Sequence, residues 1–196
     1  MIEDFEKFLD IIIKNSMMII IGGSAGSGKS MFIREALYRY KNMYNYYILG
    51  EKNFNDLLDM NNNIIFKKSS NIEDFLNFVS NNLKDCILVI DDINIEIKDK
   101  NVFWDSIRSI CITNNIKMII SVNVYKSFNN NMVISGGSTI SYIADVIILM
   151  DKRDSGIFFR VDKDRISINV DYKHINSLKV NIIKRRRKII DLVLKE

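Results

Sequence analysis

Residues 2 to 13, IEDFEKFLDIII, bring Phe5, Phe8, Leu9, Ile12 and Ile13 onto one face, with acids and Lys7 between them. That is the pattern of an amphipathic helix, whose apolar positions recur with a period of about 3.6 residues. The unbroken apolar run MMIII, residues 17 to 21, follows and predicts a strand buried on both faces. Beyond a glycine-rich stretch, KSMFIREALYRY predicts a helix that starts at Lys29. Further strands are expected at YYIL, IIF, CILVI and KMIISV, separated by helical patterns around residues 53 to 60, 71 to 83 and 103 to 113. Strands that alternate with helices pair in parallel, because each crossover helix carries the chain back to the same end of the sheet.

The pattern changes after Gly137. DVIILM, GIFFRV and ISINV read as strands, but DKRDSG and DKDR between them leave no room for a crossover helix, so these strands are expected to run antiparallel. The expected fold class is α/β: a central, mainly parallel sheet flanked by helices, with antiparallel strands at the C-terminal end. The expected organisation is an amphipathic helix over residues 1–16, a core over 17–175 and a basic helix over 176–196.

Composition narrows this picture. With 196 residues, 47% of them hydrophobic and 27% charged, the chain has the size and balance of one globular domain and not of a disordered segment. No apolar run reaches the roughly 18 residues of a membrane span. Residues 1 to 13 carry acids where a secretion signal carries bases, so a cytoplasmic protein without membrane contact is expected. Cys86 and Cys111 are too few for a disulfide framework and lack metal-ligand spacing, and are expected as buried thiols. The absence of proline, with abundant Ile, Asn and Lys, matches an AT-rich genome, so single Asn and Lys residues carry little information. The net charge of +4 owes much to one run, KRRRK at 184 to 188; it reads either as a solvated helix face or as a nucleic-acid anchor.

The chemistry concentrates between the first strand and the helix at Lys29. Gly23, Ser24, Ala25, Gly26, Ser27, Gly28, Lys29 and Ser30 fit G-x-x-x-x-G-K-[ST]. In this loop the glycines let backbone N–H groups close around phosphates at a helix N-terminus. Lys29 is expected to reach the β- and γ-phosphates of ATP, and the Ser30 hydroxyl to ligate Mg²⁺. A triphosphate site also needs a carboxylate at a strand end to hold the metal through water, and CILVIDD supplies Asp91. Large motor ATPases insert a further strand between the phosphate-loop strand and the metal-carboxylate strand, often ending in a water-activating glutamate. YYILGE offers Glu51 for that role, and Asp92, directly after the metal aspartate, is its rival.

From about residue 17 to about 170 the sequence resembles the RecA/DnaB superfamily of P-loop ATPases, through GGSAGSGKS, YYILGE, ILVIDD, MIISVN, ISGGSTISYIADVIILMDKR and FFRVDKDR in that order. The resemblance implies a RecA-like recombinase or helicase core and favours Glu51 over Asp92 as the catalytic acid. It also implies that Lys163 and Arg165, in KDR, project into the nucleotide of a neighbouring subunit, so that hydrolysis depends on assembly. Where the family carries Gln after the strand MIIS, this chain has VNVYKS, leaving Asn123 or Ser121 for γ-phosphate sensing.

In the resemblance, DNA-facing loops correspond to residues 94 to 101 and 125 to 133, with Lys98, Lys100, Lys126 and Asn129 to Asn131 as candidate phosphate contacts. The expected function is thus an oligomeric, ring- or filament-forming ATPase acting on single-stranded DNA. Two alternatives stand beside it: a KaiC-like switch that acts on a protein partner, and an AAA+ loader, which the lack of a helical lid after ADVIIL disfavours.

Overall fold

The computed structural model describes residues 2–40, 45–50, 65–66, 72–91, 100–126, 132–134, 138–153 and 156–165. In chain order the elements are α1 (Ile2–Asn15), β1 (Met18–Gly23), α2 (Lys29–Tyr40), β2 (Asn45–Gly50), β3 (Ile65–Phe66), α3 (Ile72–Asn82), β4 (Cys86–Asp91), α4 (Lys100–Thr113), β5 (Ile116–Lys126), β6 (Met132–Ile134), α5 (Ser138–Ile143), β7 (Val146–Arg153) and β8 (Gly156–Asp164). The strands lie in the order β3-β2-β4-β5-β1-β7-β8, with β6 paired to β5. Pairing is parallel from β3 through to β7. It is antiparallel between β7 and β8 and between β5 and β6.

The central strands are apolar on both sides because both faces of the sheet are covered. Successive side chains of a strand point to opposite faces, and the core divides accordingly. Ile19, Ile21, Val89, Ile119 and Ile148 meet Phe8, Leu9, Ile12 and Ile13 of α1 and Phe32, Ile33 and Leu37 of α2. The intervening residues Met18, Ile20, Leu88, Met118, Ile120 and Leu149 meet Phe75 and Val79 of α3, Trp104 and Ile107 of α4, and Ile140 and Ile143 of α5. The apolar stripe of α1 therefore belongs to the central core. Its last turn is closed by Lys117, which donates to the carbonyls of Lys14 at 3.1 Å and Ser16 at 3.3 Å. Carbonyls at a helix C-terminus attract a cation. Burial lowers the pKa of this ammonium, and Asp145 partly offsets that.

Cys86 and Cys111 are buried free thiols, and burial first of all pushes each up to about 12, which leaves them protonated and unreactive at neutral pH. Among the described residues, no helix is long and apolar enough to cross a membrane.

Three expectations are corrected. The strand inserted between the phosphate-loop strand β1 and the Asp91 strand β4 is β5, not YYIL; β2 lies on the far side of β4, with Gly50 in register with Asp91. Order along the chain does not fix lateral order, and the longer apolar run of β5 fills the central position. The segment 125 to 133 is not wholly a loop, since Tyr125 and Lys126 close β5 and pair with Val133 and Met132 of β6. Lys100 and Asn101, expected in a loop, open α4, and the short helix α5 had no counterpart in the hydrophobic pattern. The expected helix at 53 to 60, the strand ISINV, the basic helix over 176–196, and Glu51, Asp92, Lys98 and Asn129 to Asn131 lie outside the described residues.

Candidate nucleotide-binding site

β1 ends deep in the sheet at Gly23, between Asn123 of β5 and Met150 of β7. A Cβ on Gly23 would stand 2.2 Å from Ser27 Oγ and 2.7 Å from the Met150 carbonyl oxygen, so only glycine lets the loop fold back this tightly. Gly26 and Gly28 have φ of +75° and +101°, left-handed values that other residues resist. The Ser27 amide bonds the Ser24 carbonyl at 3.2 Å, and the first helical bond of α2 runs from the Phe32 amide to Gly28. The loop thus delivers the first turn of α2, whose N–H groups a helix cannot pair internally, directly to the end of the central strand.

Lys29, only 4% exposed, turns back into this loop. Its ammonium donates to the carbonyls of Gly23 at 2.8 Å and Ser24 at 3.0 Å, and to Asn123 Oδ1 at 3.1 Å. The ammonium is thus gathered on the inner side of the loop, where the oxygens of a polyanion can take the place of these carbonyls. Ser24, Ala25 and Gly26 are exposed, so the loop opens to solvent on its outer side.

Asp91 is fully buried at the end of β4, and the Ser121 hydroxyl donates to its Oδ1. The registers put Asp91 level with Ser121, and Ser121 level with Ile21 of β1. At about 4.8 Å per strand the Asp91 backbone lies about 10 Å from that of β1, with Ser121 of β5 between them. Among the described residues no cluster of three or more His, Cys, Asp and Glu forms. A divalent cation held by Ser30 and Asp91 would therefore draw its other oxygens from phosphate and water, as Mg²⁺ does. The buried Ser27 Oγ has no hydrogen-bond partner among the described residues, a further polar atom on the inner side of the loop.

Lys163 and Arg165 sit at the other end of the sheet. The Arg165 amide bonds the Asp145 carbonyl at 2.9 Å, just before β7 begins. Gly23 is in register with Met150, five residues further along, which at about 3.3 Å per residue amounts to about 16 Å. The pair is thus remote from the phosphate loop of its own chain. The structure also brings together residues that the sequence did not single out. Asp145 Oδ2 accepts from the amides of Met17 and Met18, each at 2.9 Å, and Arg108 of α4 pairs with Oδ1 at 3.3 Å while donating to the Ile143 carbonyl. The signal available was one acid set against the apolar run VIILM.

No protein-family model matches the sequence, and no curated protein is significantly similar to it. Solved structures are similar in fold. A KaiC-like protein, PH0186, from the hyperthermophilic archaeon Pyrococcus horikoshii superposes with a TM-score of 0.59 at 17% identity, over 76% of this chain and 79% of that one. The RadB recombinase superposes with a TM-score of 0.61 at 14% identity, over 76% and 81%. The fold is RecA-like. In this RecA-like frame the phosphate-loop motif lies at the C-terminal end of a central parallel strand, at the N-terminus of a helix and two strands from a buried aspartate.

Proposed function

We propose that the chain binds ATP with Mg²⁺ and hydrolyses it as part of a homo-oligomer, a ring or filament that acts on single-stranded DNA. The observation that carries the ATP site is the buried Lys29 ammonium, held by the carbonyls of a glycine loop at the mouth of α2. In this reading residues 23–30 wrap the phosphates with main-chain N–H groups, and Lys29 exchanges its carbonyl partners for β- and γ-phosphate oxygens. Ser30 and Asp91 hold the Mg²⁺, which neutralises charge on the phosphates. Glu51, following the strand whose last residue pairs with Asp91, activates the attacking water, with Asp92 as the rival acid. Lys163 and Arg165, about 10 and 16 Å along the sheet from the level of their own loop, serve the nucleotide of the adjacent subunit.

Support for a nucleic-acid partner comes from the β5–β6 hairpin, where Tyr125 is 57% exposed beside Lys126. An accessible aromatic next to a base suits stacking on single strands, and one structural neighbour is named a recombinase. The KaiC-like neighbour overlaps equally well and supports the second reading, an ATP-dependent switch acting on a protein partner. A loader of the AAA+ kind has less support, because β7 runs straight into β8.

The deciding experiment compares ATP turnover with and without single-stranded DNA at fixed low salt, where phosphate contacts are strongest. Stimulation is expected. Turnover indifferent to DNA, together with no detectable DNA binding, would remove the motor reading and leave the switch.

A further inference from the structure

The end of β8 rests on an aromatic side chain. Tyr142, in the last turn of α5, is 72% exposed, yet the Arg165 guanidinium carbon lies 5.1 Å and the Lys163 ammonium 6.0 Å from the centre of its ring. Both distances fall within the range in which a ring face attracts a cation. The Lys163 ammonium also donates to the carbonyls of Ser141 and Tyr142, the latter at 2.9 Å, and so caps the helix that carries the ring. The backbone beneath is fixed as well, since the Arg165 amide is bonded to Asp145, itself held by Arg108 and the Met17 and Met18 amides. Two long cationic side chains at a strand end ordinarily sample many rotamers, and holding them costs entropy. Here a ring and two helix carbonyls restrict them before any partner arrives.

We propose that Tyr142 is a positioning residue: its ring, beside the Lys163 ammonium that caps α5, holds Arg165 ready for the nucleotide of the neighbouring subunit. This rests on the trans role of the pair given above. Preorganised donors cost no reorganisation when charge develops on the transferring phosphoryl group, so the ring contributes to turnover without touching nucleotide.

The test uses the full chain in four versions: unmodified, Tyr142→Ala, Tyr142→Phe and Arg165→Ala. ATP binding, self-association and turnover are measured for each, and every variant is also mixed with Lys29→Ala chains. Tyr142→Ala is expected to bind ATP and associate normally but to turn over about three- to fivefold more slowly, the scale of losing a cation–ring contact at an exposed site. Tyr142→Phe, which keeps the ring, should stay within about twofold of the unmodified chain, because the hydroxyl plays no part in that attraction. Mixing Tyr142→Ala with Lys29→Ala should restore turnover, since the second chain brings an intact ring and finger to the first chain's intact phosphate loop.

Full activity of Tyr142→Ala beside a crippled Arg165→Ala would overturn the positioning role and spare the trans reading. Loss without recovery on mixing, or loss of association, would overturn it too, because the ring would then act within its own chain or as an assembly contact. An Arg165→Ala chain with full turnover would bring down the trans reading itself, and the positioning role with it.

Discussion

The two ends of the central sheet hold their polar residues in different ways. At the phosphate-loop end a buried ammonium is held by neutral oxygens of Gly23, Ser24 and Asn123, and a buried carboxylate by the hydroxyl of Ser121. At the other end Asp145 meets the opposite charge of Arg108 and two main-chain amides, 128 and 127 residues away in sequence. Charge that the protein matches with charge serves cohesion. The carbonyls and the hydroxyl at the first end are partners that phosphate oxygens and a cation can replace. In the proposed reading the first end binds nucleotide in its own chain and the second anchors β1 and β7, so substitutions at the two ends should fail in different measurements.

The largest expected effect is at Lys29. Lys29→Ala should weaken ATP binding by about 100-fold or more, the scale of losing charge-assisted bonds to two phosphates, and turnover should become undetectable. The melting temperature should hardly move, because water can reach the freed carbonyls beside exposed Ser24, Ala25 and Gly26. Calorimetric titration with ATP and thermal melts check the two halves. Unchanged affinity would refute the assignment of the site, and a collapsed fold would refute the contrast between the ends.

Next comes the acid that activates water. Glu51→Gln should bind ATP as the unmodified chain does and hydrolyse it about 10²- to 10⁴-fold more slowly, the range for a positioned general base. Asp92→Asn should keep most of its activity. Normal hydrolysis by Glu51→Gln with loss in Asp92→Asn would hand the role to Asp92. The finding that YYIL lies outside β4 makes this comparison informative, since Gly50 ends β2 on the flank of Asp91 opposite to β5.

Much of this was legible in the sequence, and what was missed has a common cause. α2 begins at Lys29 as its pattern and the glycine loop indicate, and β4 and β5 occupy the apolar runs, because local periodicity and turn chemistry act within a few residues. The lateral order of β2 and β5 was misjudged, because the runs YYIL and KMIISV are both apolar and neither states its neighbour. The β5–β6 pairing was hidden in a polar stretch that read as loop, and α5 in a segment too short to show a helical period. Asp145 and Arg108 were passed over for a deeper reason: their meaning lies in contacts that reach 37 and 128 residues back along the chain from Asp145. The apolar runs before them put the glycine loop and Asp91 at strand ends, as found, but neither these runs nor the RecA-like order of motifs gave a sign that Tyr142 would lie beside Lys163 and Arg165.

The smallest of the expected effects concerns the structural end alone. Asp145→Ala strands two amides at the start of β1 and deprives Arg108 of its partner. Breaking a buried pair from one side costs about 3–5 kcal/mol. Arg108 is 28% and Asp145 13% exposed, so solvent compensates part of this and about 2–3 kcal/mol is expected. Asp145→Asn keeps an oxygen for the amides but loses the charge facing Arg108, and should cost about half as much. Urea unfolding reads both values, with an unchanged slope showing that the same surface is exposed on unfolding. ATP affinity per folded molecule should stay constant throughout the series, because Asp145 stands about 16 Å along β7 from the level of Gly23. If Asp145→Ala instead unfolds like the unmodified chain while its ATP affinity falls, the charge at this end is coupled to the nucleotide, and the division of labour between the two ends is wrong.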